Sequence, residues 1–198
     1  MYNAHILAVA ALTAGTAMAV PTPQGSSPAY MRSSNFGLVL KAQDPYNGLV
    51  LRAEPIKDAP ERRTLLFERP SAFTPSLAYL NGTYDQLNKT GGYAYLNFIN
   101  DDKDCKDDYG VYLPDIGDGP GFVSPVNAEL GPGSSSFNQA DGQLSGELRA
   151  APNTFVACNS TINDTPSLQL MWANMNSNGS YPFGCIPAQL NVVPVIEN

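Results

Sequence analysis

Phe36-Gly-Leu-Val-Leu-Lys-Ala42 and Leu49-Val-Leu-Arg-Ala53 are two apolar runs of nearly the same composition, separated by Gln43-Asp-Pro-Tyr-Asn-Gly48. The linker carries strong turn chemistry. Pro45 presets φ at about −65°, and Asn47-Gly48 supplies residues that accept positive φ. Branched and long apolar side chains on both sides of such a turn predict a β-hairpin. The near-copy Leu-Val-Leu-Lys-Ala and Leu-Val-Leu-Arg-Ala reflects matched strand composition rather than a repeat unit, because no third copy follows.

Similar runs recur along the chain. Strands are expected at Thr64 to Glu68, Leu77 to Leu80, Tyr93 to Ile99, Gly110 to Leu113, Phe122 to Ser124, Gln143 to Arg149, Thr154 to Cys158, Ser167 to Trp172 and Ala188 to Val195. Most are short, rich in aromatic and branched residues, and bounded by Gly, Pro, Asn or Asp. With 17 Gly and 17 Pro punctuating the chain, no window sustains the 3.6-residue apolar period of a helix. The reading is all-β: a single-domain β-sandwich or barrel-like sheet, with a β-trefoil as the alternative. The segment 100–108, highly charged, and Gly131-Pro-Gly-Ser-Ser-Ser136, low in complexity, read as loops.

Outside this domain, 1–19 reads as a secretory signal peptide. An apolar run from Ile6 to Ala14, too short to span a bilayer, leads to Ala17-Met18-Ala19, small residues suited to signal peptidase. The leading segment lacks the usual Lys or Arg and holds only His5. Residues 20–35 read as a flexible Pro/Ser-rich leader, and 36–198 as the β-domain. The C-terminal Asn191 to Asn198 includes Glu197 and lacks the apolar tail of a lipid-anchor signal. A secreted product at the cell wall or outside the cell is expected.

The formal charge is −7, and after Lys106 the only basic residue is Arg149. Without a basic stripe to neutralise phosphates, neither nucleic acid nor an anionic membrane is an expected partner. Five N-glycosylation sequons begin at Asn81, Asn88, Asn159, Asn163 and Asn178, against roughly two expected by chance in so Asn-rich a chain. Asn163 is the poorest acceptor of the five, because Pro166 follows its Thr165. Three cysteines are present, an odd number that implies one disulfide plus a spare thiol or an intermolecular bridge. Cys158 ends a strand-like run and Cys185 precedes the last strand, whereas Cys105 sits in an acidic loop. The expected bridge is Cys158–Cys185, worth about 3 kcal/mol in the chain-entropy picture.

The sole histidine, His5, lies in the signal. The mature chain therefore has no Ser-His-Asp or Cys-His arrangement, no imidazole shuttle and no imidazole metal ligand. Ser134 to Ser136 lack a base and read as loop residues. A carboxylate pair would suffice for glycoside hydrolysis; Glu129 and Glu147 are the available acids, and Trp172, the single Trp, reads as core rather than as a sugar platform. Asp101, Asp102, Asp104, Asp107, Asp108, Asp115 and Asp118 invite a Ca²⁺ reading. However, Lys106 falls at a ligand position and no Gly marks the sharp turn, so a solvated acidic loop is expected. No enzyme activity, cofactor or metal is expected.

From about Leu80 onward one ordered set of motifs stands out: Tyr109-Gly-Val-Tyr-Leu113, Gly117-Asp-Gly-Pro-Gly121, Gly142-Gln-Leu-Ser, Phe155-Val-Ala-Cys158, Leu168 to Trp172, and Pro182-Phe-Gly-Cys185 before a closing strand. In these the chain resembles the fungal phialide-associated cell-wall proteins, which include secreted IgE-binding allergens. The N-terminal hairpin and Cys105 depart from that pattern. The resemblance implies a fungal wall or surface glycoprotein with a structural or interaction role, and wall polysaccharide or other wall proteins as partners. A carbohydrate-binding or effector-like module is the alternative, and a small carboxylate-type hydrolase a more distant one.

Overall fold

The computed structural model describes residues 29–70, 74–88, 92–100, 107–117, 119–147 and 153–195. The signal, most of the leader, Cys105 and Asp101, Asp102, Asp104 and Asp118 lie outside them. The described elements, in chain order, are β1 (Tyr30–Arg32), β2 (Phe36–Lys41), β3 (Val50–Ile56), β4 (Ala59–Glu68), β5 (Ala78–Thr83), α1 (Tyr84–Asn88), β6 (Ala94–Phe98), β7 (Tyr109–Tyr112), β8 (Val123–Pro125), β9 (Asn127–Leu130), β10 (Ser135–Ala140), β11 (Gln143–Gly146), β12 (Asn153–Ile162), β13 (Thr165–Asn174), β14 (Cys185–Pro187) and β15 (Gln189–Pro194).

The Asn47-Gly48 turn forms, with Gly48 at φ 82°. The Leu40 amide donates to the Leu49 carbonyl, and the Gly48 amide to the Leu40 carbonyl. Beyond the turn the two runs separate, so the expected hairpin is only a corner. β2 meets β3 at Val39↔Val50 but pairs along its whole length with β15, from Lys41↔Gln189 to Phe36↔Pro194. β3 instead runs with β4. The physical reason is burial. Leu38 and Leu40 are at most 1% exposed, and a lone two-stranded ribbon cannot cover them.

Nine strands close a ring in which each pairs antiparallel with the next: β2, β3, β4, β9, β7, β6, β10, β11, β15 and back to β2. The barrel-like sheet is thus the form the all-β chain takes, rather than an open two-sheet sandwich or a trefoil. Three strands of the ring divide one edge between two partners, and extra strands join at two of these edges. β2 gives Phe36 to β5, β6 pairs with both β7 and β10, and β4 pairs with β9 and then β13. The third branch carries the long β12–β13 hairpin, ten pairs closed by Asn163 and Asp164 at φ 47° and 64°. Positive φ at both central residues matches the right-handed twist of the strands.

The interior is filled by Leu38, Leu40, Leu51, Leu65, Leu96, Phe98, Val111, Val126, Phe137, Leu170, Trp172 and Leu190, each less than 2% exposed. Full burial of such side chains contributes about 1.5–3 kcal/mol each. Trp172 meets Phe155 edge-on, with ring centroids 5.0 Å apart; it is a core residue, as expected. Gly110 lets the chain at Gly131 to Gly133 cross directly over β7, since a Cβ there would overlap backbone atoms of that segment. Two expectations change. The leader does not extend to Asn35, because Tyr30–Arg32 forms β1 on β5; its three exposed residues lack the alternation that marks a half-buried strand. The serine-rich loop ends early, because Ser135 and Ser136 open β10.

Candidate functional site

Cys158 and Cys185 are joined. They are directly opposed where β14 pairs with β12, with Cα atoms 4.1 Å apart. The bridge pins the short β14 to the outer hairpin, over a small cluster of Val156, Cys158 and Ala173.

The two acids are not brought together. Glu129 lies opposite Arg62 across the β4–β9 ladder, forming a half-exposed ion pair at 2.9 Å. Glu147 is exposed just after β11. β9 and β11 are separated around the ring by β7, β6 and β10. Each acid follows an inward-facing neighbour, Ala128 in the core and Gly146 against Leu113, Phe155 and Trp172, so both project outward from different sectors. Ser136 is buried in β10. Among the described residues no group of three His, Cys, Asp or Glu is arranged to hold a metal ion.

Asp108 is the described acid with the clearest structural work. One oxygen accepts the Tyr79 hydroxyl at 2.7 Å and the other the Asn100 amide at 2.9 Å, which fixes the ends of the acidic loop. The Arg32 guanidinium lies over the Tyr79 ring, 3.6 Å from its centroid, and 3.9 Å from Asp108. Burial, then the hydrogen bond to Asp108 and that carboxylate's charge, push the Tyr79 phenol up to about 12, with Arg32 opposing.

These residues belong to one sheet face. Ladder partners share a face, so Tyr30 and Arg32 of β1, Tyr79, Asn81 and Thr83 of β5, and Tyr95 and Asn97 of β6 all lie on the same side. Their alternating neighbours Leu80, Leu96 and Phe98 point into the core. Tyr30 and Tyr95 have ring centroids 6.3 Å apart, tilted by 50°, and Tyr30 is 60% exposed. Flat aromatic rings among amides, a hydroxyl and a guanidinium suit a ligand with apolar faces and many hydroxyls.

A cavity of about 260 Å³ opens beside this face, with Arg52, Arg63, Ser76, Asn100 and Tyr109 in its wall. Arg52 is held between Glu54 and Glu68. Arg63 stacks over Tyr109 and donates to the carbonyls of Pro60 and Arg62. The Ser76 hydroxyl accepts from the Ala53 amide. The cavity's groups are thus engaged with each other. Another, of about 410 Å³, lies between β4 and the outer hairpin, above the buried Gln169–Thr64 hydrogen bond of 2.7 Å.

The sequon asparagines all reach solvent. Asn88, Asn159, Asn163 and Asn178 are exposed and Asn81 is half-buried, whereas Asn97 and Asn174, which are not in sequons, are buried. Sequence reasoning had no means of grouping Tyr30, Tyr79 and Tyr95, because β1 gives no strand signal and the register of β5 on β6 is set by tertiary packing.

Residues 33–194 match the family model described as a domain of unknown function, DUF7907, and the chain belongs to that family. No curated protein and no solved structure matches it.

Proposed function

We propose that this family member is a secreted, non-catalytic glycoprotein of the fungal surface, held at the wall through contacts with polysaccharide or other wall proteins. The observation that carries the reading is the sorting of asparagines. All five sequon positions reach solvent, while buried asparagines of the same sheets stand outside sequons. Each sequon is therefore accessible for glycosylation, as the reading requires. The Cys158–Cys185 bridge is compatible with an oxidising compartment, and the resemblance to phialide-associated wall proteins is in keeping with a location at the wall.

The test is to express the whole chain in a filamentous fungus and follow it through medium, wall and cell fractions, with and without enzymatic deglycosylation. Recovery in wall or medium, beginning near Val20 and losing mass on deglycosylation, is the expected result. Retention in the cell with Met1 intact and no mass change would refute it.

A second reading, a carbohydrate-binding module, is favoured by the pairing of exposed Tyr30 with half-buried Tyr95. Glycan-array binding that disappears in Tyr30→Ala and Tyr95→Ala would establish it over the first.

A further inference from the structure

Asn81 is flanked on both edges of its strand. Across one ladder it faces Arg32 of β1, and across the other it faces Tyr95 of β6. Its neighbours Leu80 and Gly82 are buried, so its side chain leaves the sheet on the outer face. Tyr30 is two pairs further along β1, opposite Thr83, diagonal to Asn81. The two tyrosine rings that flank this asparagine are the tilted pair, 6.3 Å apart. Arg32 is drawn away from this pair, lying over Tyr79 near Asp108 and donating to the Asn35 side chain at 2.8 Å.

This arrangement is particular to one sequon. Asn159 faces Leu168 in its ladder, Asn163 closes the β12–β13 hairpin, and Asn88 ends α1. Asn178 accepts from Ser180 in its own turn. Among the described sequon asparagines, only Asn81 has a directly opposed aromatic residue.

We infer that the outer face of β1, β5 and β6 is the seat of the chain's own N-linked glycan at Asn81, with its first N-acetylglucosamine packed against Tyr95 and Tyr30. The inference rests on the glycoprotein reading above and names where one of those glycans lies. Directly opposed Cβ atoms are about 4.5–5.5 Å apart, so a pyranose on the Asn81 amide is in reach of the Tyr95 ring without leaving the sheet surface. The sugar's axial C–H face is apolar and slightly positive, which matches the negative face of an aromatic ring. Its hydroxyls remain outward, beside Thr83 and the Tyr hydroxyls, while the acetamide methyl lies against the rings. The glycan also acts on the fold. β1 is a three-residue exposed edge strand, and a sugar bearing on Tyr30 holds it to β5 while blocking edge-on pairing with other chains.

The experiment uses the full chain secreted from a eukaryotic host, with N-glycans trimmed to a single N-acetylglucosamine. Glycopeptide mass spectrometry reads occupancy at each sequon. NMR reads the acetyl methyl at Asn81, identified by its loss in Asn81→Gln. The expected result is an occupied Asn81 whose methyl is shifted upfield by ring current, a shift lost in Tyr95→Ala and reduced in Tyr30→Ala. The second variant alters an exposed edge residue and keeps the test valid if the first misfolds. A glycan present at Asn81 with an unshifted methyl would overturn the inference. So would an empty Asn81 beside occupied sequons, which leaves the secreted-glycoprotein reading standing. Tyr95-dependent binding of added chitin or glucan oligosaccharides by the glycosylated protein would overturn it in favour of an external ligand. A chain with no glycan at any sequon refutes both readings together.

Discussion

Replacing Cys158 and Cys185 together by Ser tests what the bridge does for the fold. The bond closes a separation of 27 residues, for which chain entropy gives about 3–4 kcal/mol at room temperature. Non-covalent contacts hold β14 weakly. It makes three pairs with β12, one of them at Pro187, which has no amide to donate. None of its residues is fully buried. The substitution therefore has two expected consequences: a global loss of about 3–4 kcal/mol, and preferential opening of the chain from Asn176 to Pro187. Trp172 is the only Trp, is 1% exposed and lies in the core beside Phe155, so its fluorescence reports global unfolding in urea. Hydrogen exchange at Ile186 and Ala157 reports the local opening. A global loss below about 1 kcal/mol, with β14 amides as protected as in the parent, would refute the reasoning. The remaining strand pairs would then suffice to hold the edge.

Four further outcomes are expected. The Tyr79 phenol lies above its ordinary 10.0, at about 12. Its contribution to stability is therefore complete below pH 10 and lost as pH rises towards 12, and alkaline ultraviolet titration should show a late-ionising phenol that Tyr79→Phe removes. Gly110→Ala forces a Cβ into the backbone of the Gly131 to Gly133 segment and should cost more than about 4 kcal/mol, at the exceptional end for point changes; a soluble variant with the parent urea midpoint would contradict the crossing. Asn163 donates to the Pro55 carbonyl and accepts from the Lys57 amide in a turn that needs positive φ, so glycopeptide mapping should find it the least occupied sequon, and Asn163→Gly should be tolerated. Glu129→Gln breaks only a half-exposed pair with Arg62 and should change stability by about 0–1 kcal/mol while leaving wall association unaltered.

The strand inventory was largely legible because these strands carry local signals. Phe155 to Cys158 and Leu168 to Trp172 are apolar runs between turn residues, and they form the interior of β12 and β13. Cys158 and Cys185 could be paired because one ends a strand-like run and the other directly precedes the closing strand, while Cys105 sits among acids. Partner choice was not legible. The Asn47-Gly48 turn promised that β2 and β3 would pair, and that turn does form, but which strand lies along Leu38 and Leu40 depends on β15, some 150 residues away. Two other turns carry similar local chemistry. Asp141-Gly142 joins β10 to β11 with φ of 51° and 74°, and Asn163-Asp164 joins β12 to β13. In the first case the serine repeat before Phe137 masked the strand. β1 was invisible for a different reason: all three of its residues are exposed, so no buried face imprints a period on the sequence.

Closure of the ring also constrains where function can reside. A small barrel whose inward side chains meet has no lumen for a ligand, and the inward positions here are taken by Leu, Val, Phe and Trp side chains less than 2% exposed. Ligand contact must therefore be made on outer faces or at the seams where extra strands join. The seam cavity between β4 and the outer hairpin has the Gln169–Thr64 bond at its base, and the cavity at Arg52 and Arg63 has its charges held within the protein. The β1–β5–β6 face differs from both. Its Tyr30 and Tyr95 rings stand partly in water on a sheet whose opposite side is core. The same face carries Asn81. A glycan there and an external saccharide would compete for the same rings, so occupancy of that one asparagine determines whether the face is a binding surface or a covered one.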